Sequence, residues 1–266
     1  MEAITGVFAT RSEAEHALHE AYREGVSPNN IALLTPGTAD RIEKEVRSVS
    51  IDAAEQPGMG KAMGALSGGG IGITAGSVLV ALVPGLGPVT ALGLLGAAIL
   101  GAAGATVGAI VGGKVEEASS QGLPEDEIFV YEDALRKGRS VVVALAENEE
   151  AASRLRRLMK NQGAESIDAA REQWWIGLRS AEESRYSKSS RNFSDDEQFF
   201  RLGFEAAMHA RTRCKEFDQV SAEMDADLED VRQRYPGMDV EEPFTRGYQR
   251  GREHYQQLCD EQRKVA

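Results

Sequence analysis

Apolar and polar positions alternate along this chain in three regimes. Near the start a strand-like run, Ala3–Phe8, gives way to helical spacing. Ala14, Ala17, Leu18 and Ala21 then fall on one face, behind Thr10 and Ser12, either of which can cap the helix. Gly25 ends that helix, and Ile31–Leu34 with Thr35 read as a second strand before a turn at Pro36-Gly37. Residues 38–56 are polar, with Ile42 and Val46 at helical spacing but no strong face, and read as a connector. The alternation resumes after residue 122. Leu123-Pro124-Glu125 opens a helix with Ile128, Tyr131 and Leu135 on its buried side, which Gly138 ends. Ser140–Ala146 (SVVVALA) is the most strand-like run. A charged helix follows over about Glu149–Asn161, with Leu155, Leu158 and Met159 inward, then Gly163 and a short last strand at Ala164–Ile167.

The order is β-α-β, an interruption, then α-β-α-β. This predicts an α+β fold with a ferredoxin-like sheet and helices on one face. The domains expected are 1–56 with 115–168, an inserted 57–114, and a separate 169–266.

The interruption is different in kind. From Ala62 to Gly113 there are fifty-two residues without an Asp, Glu, Lys, Arg or His, flanked by Lys61 and Lys114. Pro84-Gly85-Leu86-Gly87-Pro88 divides this run into two limbs, each long enough to cross a bilayer, for which about twenty apolar residues suffice. Two prolines and two glycines in five residues favour a bend, so a hydrophobic helical hairpin is expected. Gly60, Gly64, Gly68, Gly72 and Gly76 recur every fourth position, and Gly93, Ala97, Gly101, Ala105, Ala109 and Gly113 repeat the device in the second limb. Small residues at this spacing let helix backbones approach closely. In water each interior glycine costs about 1 kcal/mol relative to alanine. A compensating medium is therefore expected, either lipid or a closely packed homo-oligomer. A dinucleotide loop at Gly70-Ile71-Gly72 fits poorly, since no strand precedes it and no acidic ribose partner follows about twenty residues on. The density of Leu, Ile and Val speaks against a disordered linker.

The segments VFATRSEAEHAL, LLTP, the hairpin around PGLGP, and LPEDEIFVYEDALRKGRSVVVALAENEEAASRLRRLMKNQGAESID together resemble the general stress protein 17M-like family, the bacterial heat-induced stress proteins. The resemblance covers roughly residues 3–168 and rests on element order and alternating composition. It implies a bacterial, stress-related protein without assigned chemistry, and it supplies no catalytic residues.

Residues 169–266 are charged and helical in pattern. An aromatic-x-x-Gly-apolar-x-x-small unit recurs at Trp174/Gly177/Leu178/Ala181, Phe200/Gly203/Phe204/Ala207 and Phe244/Gly247/Tyr248/Gly251. Positions i, i+3, i+4 and i+7 share a helix face, so each copy places a ring beside a glycine notch suited to close helix crossing. The alternative is a ligand groove lined by Trp174, Trp175, Phe199 and Phe200; core packing is the commoner use of such stripes. Ser184–Asp196 reads as a polar loop and Tyr235-Pro236-Gly237 as a turn, giving a small helical bundle able to recruit a protein partner.

Composition narrows the function classes. A net charge of −12 argues against nucleic acid, which needs a basic surface. Two cysteines are too few for a disulfide framework and fit a reducing cytoplasm. The N-terminal segment lacks the basic start and apolar run of a signal peptide, so export is not expected. His209, Cys214, His254 and Cys259 have the ligand types of a zinc site, but i, i+5 spacing separates each pair around a helix. His16 and His19, beside Glu13, Glu15 and Glu20, read as a solvated helix face. No serine sits in a nucleophile elbow, and Asp195, Asp196 and Glu197 read as acids at a helix start.

The expectation is a non-enzymatic stress-response protein without a cofactor, at the cytoplasmic side of the inner membrane or a soluble assembly in the cytoplasm. Its contact residues are Gly60, Gly64, Gly68, Gly72, Gly76, Pro84, Gly85, Gly87, Pro88, Gly93 and Gly101. The alternative is a soluble small-ligand or metal-binding sensor.

Overall fold

A computed structural model describes residues 1–37, 78–104, 124–186, 191–213 and 215–265. The chain divides into two compact units, Met1–Ala170 and Arg171–Ala266.

The first unit is α+β. Strand β1 (Glu2–Phe8) leads to α1 (Arg11–Arg23), which starts in a capping box. The Thr10 side chain accepts from the Glu13 amide, and the Glu13 carboxylate accepts from the Thr10 amide. Strand β2 (Ile31–Pro36) follows. The next elements are β3 (Val78–Val83), β4 (Gly87–Leu92) and α2 (Gly93–Ala102). A short 3-10 turn at Glu125–Glu127 then opens α3 (Ile128–Arg136), followed by β5 (Ser140–Ala146), α4 (Glu149–Asn161) and β6 (Glu165–Ser166). The strands form one antiparallel sheet in the order β3-β4-β2-β5-β1-β6.

Both faces of this sheet are covered, where helices on one face were expected. Ile4, Phe8, Ile31, Leu33, Val142 and Ala144 pack with Ala14, Ala17 and Leu18 of α1 and Leu155 and Met159 of α4. Side chains of alternate parity, Val7, Ala32, Leu34, Val141 and Val143, are equally buried. On that face the Tyr131 hydroxyl of α3 meets Thr5 Oγ1 of β1 at 2.9 Å, and a side chain at Gly96 of α2 would touch Ala91 and Ala32. A strand buried on both sides needs apolar residues at every position, as SVVVALA supplies.

The helical hairpin expected over 57–114 is corrected where the structure describes it. Val78–Val83 and Gly87–Leu92 are paired strands, and the bend between them is a β-hairpin turn. Gly85 and Gly87 adopt left-handed φ of +77° and +95°, and the Leu86 amide closes on the Val83 carbonyl at 3.1 Å. The β-branched Val78, Val80, Val83, Val89 and Thr90 favour the pleated sheet once β2 offers an edge, which β4 occupies from Leu33↔Leu92 to Pro36↔Val89. Helix begins only at Gly93, whose φ is +84°; a Cβ there would sit 2.8 Å from the Ile31 carbonyl, so glycine alone makes this corner. Gly60, Gly64, Gly68, Gly72 and Gly76 lie outside the described residues.

The second unit is helical. It contains α5 (Ile167–Tyr186) from Arg171 onward, α6 (Phe193–Met208), α7 (Phe217–Arg234) and α8 (Glu241–Val265). The polar loop expected over 184–196 is shorter than the composition implied. Helix α5 runs to Tyr186, and Asn192 already caps α6 by accepting from the Ser194 amide. The turn at Tyr235-Pro236-Gly237 is present, with Gly237 at φ +84°.

Candidate functional site

The residues singled out in the uncharged run fall into three settings. Pro84, Gly85, Gly87 and Pro88 form the β3–β4 turn and its return, where Arg136 of α3 donates from Nε and Nη2 to the Gly85 carbonyl at 3.3 and 3.2 Å. The Gly37 amide donates to the Pro88 carbonyl at 2.8 Å, tying the hairpin to the end of β2. Gly93 and Gly101 bracket α2, whose Leu95, Ala97, Ala98, Ile99 and Leu100 are each 1–2% exposed. This helix is apolar all round in sequence, and these five side chains are buried in protein. Among the described residues, no helix is long and apolar enough to cross a membrane.

The glycine notches of the C-terminal repeat are real in two copies of the three. A Cβ at Gly203 of α6 would lie 1.9 Å from the Phe244 carbonyl oxygen, and one at Gly247 of α8 would lie 1.9 Å from that of Phe200. The contact is reciprocal, as the repeat predicts: each glycine receives the backbone beside the other copy's ring. Gly251 continues the seam, 2.5 Å from the Phe204 carbonyl by the same construction. The first copy departs from the pattern, because nothing lies within 4 Å of a Cβ built on Gly177. Trp174, Trp175, Phe199 and Phe200 act as core rather than as one shared groove, although Phe200 also borders a cleft of about 200 Å³ with Glu182, Tyr186 and Arg250. The four rings are 1–4% exposed and pack ring against ring, as in the edge contact of Trp174 with Phe204 at 5.7 Å.

Around this aromatic core three carboxylates are clamped by arginines. Asp196 of α6 accepts from Arg191 Nε at 2.6 Å and Nη2 at 2.8 Å and from the Tyr186 hydroxyl at 2.7 Å. Glu197 accepts from Arg179 and from the Trp175 indole at 2.9 Å. Glu182, 2% exposed, accepts from Arg250 at 2.8 and 2.9 Å and from Arg185 at 2.8 Å. The Arg191 hydrogen bonds hold Asp196 below the usual carboxylate range. Burial alone would raise Glu182 and Glu197, but their arginines outweigh it and both are lowered. Asp195, Asp196 and Glu197 do open a helix, but the arginine clamps were not legible, because apart from Arg185, one turn from Glu182, their arginines lie 5 to 68 residues away.

Burial, then the Asp196 acceptor, pushes the Tyr186 phenol up to about 12. A raised value stabilises the fold below the ordinary tyrosine range near 10, and the gain is lost as pH rises through the folded value. Melting followed by tryptophan fluorescence should therefore hold steady up to about pH 10 and fall between about 10 and 12. Tyr186→Phe should flatten that slope, and a slope identical to wild type would refute this role.

Of the four zinc candidates, His209, His254 and Cys259 lie among the described residues. His209 ends α6, with its carbonyl accepting from the Arg213 amide at 2.9 Å, while the His254 ring lies against Phe204 at 5.6 Å. Cys259 is half-buried, and Cys214 lies outside the described residues. Among the described residues, no group of three or more His, Cys, Asp or Glu is placed to hold a metal. The alternative of a small-ligand module has its best footing in a cleft of about 210 Å³ where α1 ends and α4 begins, lined by Glu24, Ser27, Asn30, Glu147, Asn148 and Arg154 with apolar neighbours. Two of its polar groups are already engaged: Asn148 caps α4 through the Ala151 amide, and Arg154 pairs with Glu150 at 2.8 Å.

In comparisons with known proteins, no family model, curated protein or solved structure matches this chain.

Proposed function

We propose that this chain is a non-enzymatic bacterial stress-response protein of the general stress protein 17M-like kind, whose uncharged segment serves homo-oligomeric assembly. On this reading β1, α1, β2, β5, α4 and β6 are a ferredoxin-like unit. The antiparallel neighbours β2-β5-β1-β6 support that description, with β3, β4 and α2 added at one side. The observation that carries the assembly reading is the burial of α2 together with the pairing of β3 and β4. The described side chains of α2 thus lie in protein rather than in lipid, which favours a protein medium for the glycine stripe that precedes it.

The test is extraction of the full chain from cells. It should appear in the detergent-free supernatant and sediment as a discrete oligomer. Retention with membranes until detergent is added would instead support the bilayer for the first limb.

A further inference from the structure

The two edges of the sheet are unlike. At one end β6 is two residues, Glu165-Ser166, short and charged, which is how natural proteins blunt an edge. At the other end β3 runs six residues, VLVALV, without a charge, proline or glycine, and among the described residues no strand pairs with its outer side.

The hydrogen-bonding direction of that outer side follows from β4. The Pro88 carbonyl accepts from the Gly37 amide at 2.8 Å, so the backbone of Pro88 points toward the β2 side, away from β3. Pro88 also has no N–H to give. Leu82, its partner in β3, therefore makes no ladder bond with Pro88, and its own N–H and C=O point outward. Strand alternation puts the backbone groups of Val80 and Val78 on the same outer side, while Leu79, Ala81 and Val83 face β4. Leu82 is also 61% exposed.

We propose that this edge pairs antiparallel with β3 of a second copy, about a two-fold axis perpendicular to the sheet, so that two sheets become one. The inference deepens the assembly reading and rests on it. A second copy is the occupant for three reasons. Alternating outward donors and acceptors demand an extended strand. The chain carries a net charge of −12, yet fifty-two consecutive residues around β3 hold none of it, so two such edges meet without like-charge repulsion. The blunt β6 edge cannot serve as a head-to-tail partner, which leaves the self-complementary contact, and that contact closes at two copies.

Leu82→Pro tests this directly. It removes an outward N–H while sparing every hydrogen bond between β3 and β4, a placement proline tolerates on edge strands. Leu82→Lys, at an exposed position, places like charges beside the axis without altering the backbone. Sedimentation equilibrium of the full chain should show a wild-type dimer and, for either variant, a dissociation constant raised about tenfold to a hundredfold with an unchanged melting temperature, since two edge hydrogen bonds are lost per dimer in the proline case. The double variant Gly68→Leu/Gly72→Leu separates the two ideas. An oligomer that this double variant breaks, and that Leu82→Pro and Leu82→Lys leave intact, overturns the edge contact and keeps the assembly reading. A monomeric wild type overturns both.

Discussion

Gly203→Ala should unfold the helical unit at temperatures where the wild type is intact. The added methyl would meet the Phe244 carbonyl oxygen 1.9 Å away, with the carbonyl carbon at 2.8 Å and the Tyr248 amide nitrogen at 2.9 Å. All three are backbone atoms of α8, which cannot rotate aside as a side chain can. Ordinary overpacking costs about 1–3 kcal/mol, and a clash with immovable backbone belongs at or above the top of that range. The helices must separate, and separating them breaks the reciprocal contact at Gly247 as well. Gly247→Ala should behave in the same way. A loss near 3 kcal/mol lowers the melting temperature of a unit this size by more than about 10 °C. Both tryptophans of the chain, Trp174 and Trp175, lie in this unit, so their fluorescence reports it alone. Gly177→Ala is the matched control: its Cβ meets nothing, and relief of the glycine penalty should stabilise by about 1 kcal/mol. A Gly203→Ala protein melting within about 2 °C of wild type would refute the close crossing.

The second large effect concerns the Glu182–Arg250 pair. Arg250→Met leaves Glu182 with Arg185 alone, in a position where the carboxylate is 2% exposed. Stripping one partner from a buried ion pair costs about 3–5 kcal/mol, because the remaining charge has lost its water as well as its partner. Replacing both members, Glu182→Leu with Arg250→Met, should recover most of that loss. The pH dependence has a definite sign. The folded carboxyl of Glu182 is lowered, since its arginines outweigh the burial that would raise it. Its stabilisation is therefore complete above the ordinary carboxylate range near 4 and disappears as pH falls through the folded value. Asp196 and Glu197 act in the same direction. Acid unfolding of Arg250→Met, followed by tryptophan fluorescence, should have its midpoint at higher pH than wild type. An unchanged midpoint would show that the pair does not hold this unit together.

Local elements were the most legible part of the fold. The apolar stripe Ala14, Ala17, Leu18 and Ala21, the run SVVVALA and the stop at Gly138 all stand where periodicity put them, because each is decided within a few residues. The bend at Pro84–Pro88 was legible as a bend, but not the kind of element it joins. VLVALV is apolar at every position, and an unbroken apolar run serves a buried helix and a buried strand alike. The choice was made by pairing: VLVALV lies on β4, and β4 in turn lies on β2, more than forty residues earlier in the chain. At the candidate contact surface, the absence of charge was visible in the sequence. Which backbone groups face outward depends on the register between Pro88 and Gly37.

The C-terminal unit shows the same division. Its repeat identified Gly203 and Gly247 as notches, since a ring and a glycine three residues apart must share a helix face. It also nominated Gly177, which the structure leaves open: spacing defines the face of a helix, and only packing decides whether another helix lies against it. Apart from the i,i+3 pair of Glu182 with Arg185, the clamps of Glu182, Asp196 and Glu197 come from side chains brought together by folding. Outside the uncharged run, the sequence by itself determined the local elements of the first unit, which faces are apolar, and that one segment is free of charge, because these follow from neighbours along the chain. The tertiary structure decided that part of this segment becomes sheet, which notches are filled, and which strand ends the sheet among the described residues, because each depends on a surface supplied by residues far away in sequence.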